Sequence, residues 1–211
     1  MRLVIAAAAL ACTPAAFAGE LYGSLGLPGA SIGWAQPISP AFTVRADYTT
    51  IGDRTSDQTE EGIAYRAKLK ANRTALFADW YPMSGSFRLT AGLTANDYKL
   101  NLTATGAGGT LTIGSTTYTT TAADRFDVLV KMPSTTPYLG LGWGHQSGSG
   151  LRFAADLGVM VGKAKLSTQL SGPLAGNVSQ SDIDQETAEL RDGVAKIRVI
   201  PQIGFSIGYS F

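Results

Sequence analysis

The chain has 211 residues, with 17 Lys+Arg against 16 Asp+Glu, one histidine and one cysteine. Near-balanced charge gives no reason to expect nucleic acid as a partner, and the length suits one domain. Mean hydropathy is +0.08 with only 16% charged residues, yet past residue 18 no apolar run approaches the ~20 residues of a spanning helix.

The first residues read as an export signal. Met1-Arg2 is a short positive start, residues 3–11 form an apolar core, and Ala16-Phe17-Ala18 is a small-residue cleavage site before Gly19. Residues 1–18 are therefore expected to be a cleaved signal peptide, and residues 19–211 a transmembrane β-barrel domain. Ala9-Leu10-Ala11-Cys12 is a weak lipobox, but it cuts the apolar core short and the later site fits better. Cleavage at Gly19 removes Arg2 and Cys12 and leaves the remaining charges balanced. No disulfide, thiolate metal site or cysteine nucleophile is then available.

Along the rest of the chain, side chains alternate with the period of a strand. Residues 21–35 are expected to give two short strands folded at Pro28-Gly29. A second count makes them one strand and gives residues 125–132 a strand of their own. Phe42, Val44, Ala46 and Tyr48 alternate with Thr43, Arg45, Asp47 and Thr49. Residues 64–81 alternate first on Tyr65, Ala67 and Leu69, then on Leu76, Ala78 and Trp80, which predicts a β-bulge between about Ala71 and Ala75. Three further alternating segments follow, at 87–94, 138–144 and 151–162. The last, 197–211, places Ile197, Val199, Pro201, Ile203, Phe205, Ile207, Tyr209 and Phe211 on one face.

Short connections (37–40, 82–85, 147–150) alternate with long polar ones (52–62, about 105–124, 165–195), as periplasmic turns alternate with extracellular loops. Aromatics gather at the short turns, and Trp34, Trp80, Tyr81, Phe87 and Trp143 are read as an aromatic girdle. The threonine-rich stretch 105–121 reads as a projecting hairpin. In the last loop Ser181-Asp182-Ile183-Asp184 resembles a capping box, and Ile183, Thr187, Leu190 and Val194 recur at helical spacing up to a stop near Gly193. The acids of that helix are read as a solvated face, since they lack the spacing of a calcium loop.

The predicted fold is all-β: an eight-stranded antiparallel up-and-down transmembrane barrel with short periplasmic turns, long extracellular loops and one short loop helix. The Ala16-Phe17-Ala18 site, the ending 204–211 and the strand 137–144 resemble small outer-membrane barrels of Gram-negative bacteria, of the OmpA, OmpX and OmpW type. That resemblance implies a bacterial outer-membrane location. It also implies recognition of Tyr209 and Phe211 by the barrel-assembly machinery, contact with outer-membrane lipids and lipopolysaccharide, and a monomer whose further assembly is left open. No cofactor or metal is expected.

A fold of this kind does not carry a function with it. Inward positions are assigned to Arg45, Asp47, Lys68, Lys70, Asp79, Arg88, Arg152, Asp156 and Arg198. They read as a paired lumen network, or as the lining of a narrow channel for small or amphipathic solutes. A structural or passive role is the preferred reading, with no enzyme activity. Two alternatives stay open: a surface barrel that adheres or binds ligand through its loops, and a lipid A deacylase-like enzyme. The second rests on the catalytic candidates His145, Ser147 and Asp156.

Overall fold

The computed structural model describes residues 19–60, 63–106, 108–196 and 198–211. The signal sequence with Cys12, and Ile197, lie outside them. Eight strands close into an antiparallel ring: β1 (Glu20–Leu27), β2 (Ala30–Ser39), β3 (Phe42–Glu60), β4 (Ile63–Trp80), β5 (Phe87–Gly106), β9 (Thr135–Trp143), β10 (Gly150–Val161) and β12 (Val199–Ser210). Their alternating sequences give each strand one face of large apolar side chains and one of small or polar ones. Closure puts the first outside and the second inside. β12 closes the ring against β1, pairing Leu21 with Tyr209 and Leu25 with Phe205.

Both segments weighed for the eighth strand are extended. Residues 21–35 supply most of β1 and β2, while β8 (Arg125–Lys131) stands above β9 as an upward continuation. The lower half of β5 pairs with β9 and its upper half with β8. β11 (Lys165–Ser171) adds to β8, so an open sheet β3-β4-β5-β8-β11 rises beyond the ring on one side.

Two expectations fail. Residues 52–60 are not loop but the upper part of β3, paired with β4 as far as Glu60 and Ile63. β4 has no bulge at residues 71–75, because its register with β5 runs unbroken from Ile63 to Trp80. The register shift lies in β3 between Thr50 and Asp53, where Gly52 takes φ +68°, a conformation that favours glycine. The outer face of β4 thus changes from Leu76, Ala78 and Trp80 to Arg66, Lys68 and Lys70 without the strand turning over.

The loops build a cover at the raised end. A hairpin of β6 (Thr110–Ile113) and β7 (Thr116–Thr119) packs on helix α1 (Gln180–Ala195) through Ile113, Leu174, Val178 and Ile183. The cap of α1 is Ser179, two residues before the expected one, accepting from the Asp182 N–H at 3.2 Å; the helix runs past Gly193 to Ala195. α1 is polar, and among the described residues no helix is long and apolar enough to cross a membrane. The hairpin therefore does not project freely. The Tyr118 hydroxyl donates to Asp182, and the Gly114 N–H to Glu186 at 3.1 Å.

Candidate functional site: a charged plug in the ring

The outside of the ring carries a continuous apolar belt that includes Ile32, Leu76, Leu93, Leu139, Leu151, Phe205 and Ile207, all exposed. At the end with the short turns, Trp34, Trp80 and Trp143 are exposed as well, with Phe87 half-buried beside Trp143. Phe211 stacks on Trp34 and meets Tyr209 edge-on. Tyr81 departs from the expected girdle. It is buried, and its hydroxyl donates to the Gly144 carbonyl at 3.2 Å, because the turn after β4 folds it inward.

Inside, polar side chains stack in layers. Arg45 on β3 and Arg88 on β5 each bridge the same two carboxylates, Asp79 on β4 and Asp156 on β10. Arg88 reaches Asp79 at 3.2 Å and Asp156 at 2.9 Å, and its Nε donates to the Gly144 carbonyl at 3.1 Å. Thr90 donates to Asp79 at 2.6 Å. Arg88 and Asp79 have no exposed surface at all. Two cations face two anions, so the cluster is neutral, which enclosure in a narrow ring requires.

Above it, Arg73 donates to Asp47 at 3.1 Å, to Thr49 at 2.8 Å and to Gln202 at 2.7 Å. The Phe77 ring lies between the layers, 5.0 Å from the Arg45 guanidinium and 5.7 Å from that of Arg73. Below, at the turn end, His145 shares a hydrogen bond with Glu20 at 2.9 Å and lies 3.3 Å from the Ser206 hydroxyl, against the Tyr22 ring.

Asp47 joins Arg73 rather than the central cluster. Arg152 is half-buried at the lower rim, its guanidinium 3.5 Å from the Ser147 carbonyl. Lys68, Lys70 and Arg198 are not in the lumen. The unbroken β4 register turns both lysines outward, and Arg198 is exposed just before β12 begins. Ser147 is exposed in the turn and Asp156 belongs to the arginine cluster, so His145, Ser147 and Asp156 do not assemble. His145 instead stands between Ser206 and Glu20. That is the order of a nucleophile, base and acid, but all three are buried, leaving no approach for a substrate.

Except at Gly204, which lines the open space between the two arginine layers, the inner glycines do not leave gaps. A Cβ on Gly33 would come within 2.4 Å of the Tyr22 ring, and one on Gly158 within 2.2 Å of the Tyr138 hydroxyl. These tyrosines lie across the ring in the space the glycines provide. Between the two arginine layers an open space of about 40 Å³, lined by Arg45, Asp47, Arg73, Asp156 and Gln202 among others, extends to the β1–β2 turn at Leu27, Pro28 and Gly29. That is room for one or two waters.

Together these features define an all-β, antiparallel barrel with an apolar exterior and a charged, filled interior. No family model matches the chain, and no curated protein matches it in sequence. Solved structures that share its fold include two from one organism. CarO of Acinetobacter baumannii is 17% identical over 92% of this chain and 98% of its own, with a TM-score of 0.54. CarO2 of the same organism is 15% identical over 92% and 99%, with a TM-score of 0.57. At that identity the likeness is one of fold.

Proposed function

We propose that this chain is an integral barrel of a bacterial outer membrane with a structural, passive role and a lumen closed to solutes. The exposed apolar belt with aromatics at its lower edge supports a seat in lipid, since a closed ring leaves no backbone edge unpaired there. The short turns then face the periplasm and the capped end faces outward. Tyr209 and Phe211 end the closing strand, where the barrel-assembly machinery would read them. We assign a monomer and no catalytic activity.

The observation that carries the closed lumen is the Arg45–Asp79–Arg88–Asp156 cluster, which ties four strands together across the ring. Ions moving through would have to break pairs that have almost no water to replace them. Planar-bilayer recording of purified protein tests this. The wild type is expected to be silent, and a variant with Arg45, Asp79, Arg88 and Asp156 all changed to Ala is expected to show steady current. Steady conductance from the wild type would instead favour a channel.

A further inference from the structure

The outer face of the raised sheet holds an arrangement that the closed barrel does not need. Lys70 on β4 is directly opposite Lys99 on β5, Lys99 is opposite Lys131 on β8, and Lys131 is opposite Lys165 on β11. Four lysines thus form one row across four adjacent strands, spanning about 14 Å at the usual ~4.8 Å strand spacing. Like charges directly opposite one another destabilise a sheet.

Within the chain the row is only partly neutralised. Asp97 bridges Lys70 at 2.9 Å and Lys99 at 2.6 Å, and Asp53 on β3 is opposite Lys70. Lys131 and Lys165 are exposed and have no ion-pair partner among the described residues. The height of the row is informative too. Ten residues separate Lys70 from Trp80 on the same face of β4. At about 3.4 Å per residue and a strand tilt near 40°, that is about 26 Å along the barrel axis, the height of an apolar band in this class of barrel. The row therefore begins where the lipid chains end.

We propose that this lysine row is a docking site for the phosphate groups of outer-leaflet lipid, in a Gram-negative membrane the phosphorylated lipid A of lipopolysaccharide. The assignment rests on the reading that the capped end of the barrel faces outward. Phosphates seated between neighbouring lysines relieve their mutual repulsion and gather lipid against the β5-β8-β11 wall. Each lysine near an anionic lipid surface contributes about fivefold in affinity.

Native mass spectrometry of the full chain in detergent tests the site, with bisphosphorylated lipid A and the same lipid dephosphorylated as probes. The wild type is expected to retain the phosphorylated lipid preferentially. Lys99→Gln, Lys131→Gln and Lys165→Gln combined should weaken this by about a hundredfold. A matched control, Lys163→Gln, Arg191→Gln and Lys196→Gln, should weaken it far less. Equal retention of the two lipids, an unchanged row variant, or an equal loss in the control would each overturn the proposal. Gel mobility with and without boiling is read on every sample. A variant that keeps the folded shift but retains lipid sinks the site alone, whereas a wild type lacking the shift sinks the barrel reading.

Discussion

Arg88 is wholly buried and satisfied on every side: two carboxylates, the Thr90 hydroxyl and a backbone carbonyl. Removing it leaves Asp79 and Asp156 sharing Arg45 alone, an uncompensated buried charge worth about 3–5 kcal/mol. Arg88→Ala should therefore lower the urea midpoint of the detergent-folded protein, followed by loss of the folded gel band, well below that of Arg152→Ala at the rim. Equal midpoints would mean that the cluster does not hold the ring together. Five members of the network are readable from sequence, because Arg45, Asp47, Asp79, Arg88 and Asp156 interrupt strands whose other face is apolar. Arg73 is not, since it falls inside the bulge expected at 71–75, where alternation assigns no face. Glu20 and His145 are not either, because 125 residues separate them and only ring closure brings them together.

Among the elements, the strands that cross the belt show themselves by alternation, and the raised part of β3 does not. Period-2 patterning needs two unlike environments. Above the belt both faces of β3 are exposed as far as Thr59, so residues 52–60 carry no alternation and resemble a polar connection. The apparent change of phase near Ala71 has the same cause: it marks the upper limit of the apolar zone rather than a slip of the strand. In the cover, two carboxylates act as fasteners. Asp124 accepts from the Leu174 N–H at 2.7 Å and from the Thr121 N–H at 2.8 Å, and these bonds hold its carboxyl below the usual carboxylate range. Asp182 is lowered by hydrogen bonds from Tyr118 and Ser179. Because both values are depressed by folding, their contribution is complete above the ordinary carboxylate pKa of about 4 and is lost as pH falls through the lowered values. Amide-exchange protection factors over residues 108–121 and 173–195, taken against the intrinsic rate at each pH, should fall below about pH 4 while those of the belt strands stay high. Uniform protection at acid pH would count against these fasteners.

For the molecule as a whole, one property underlies the rest: the first and last strands meet. An open sheet of this length would expose two rows of backbone donors and acceptors to lipid, each unsatisfied group costing several kcal/mol. Pairing of β1 with β12 removes that edge, seals the apolar belt around the ring and brings Glu20 and Ser206 to His145. Leu25 and Phe205 are directly opposed in that seam and both face outward. A Leu25→Cys/Phe205→Cys variant places two thiols on Cβ atoms about 5 Å apart, so the most direct measurement is cross-linking by a thiol-specific reagent of that span in the folded, unboiled protein. Near-complete intramolecular cross-linking, absent from the boiled protein and from a Leu25→Cys/Leu93→Cys pair on opposite parts of the ring, is the predicted result. Folded protein in which the two introduced thiols of the seam stay unlinked would contradict a closed barrel.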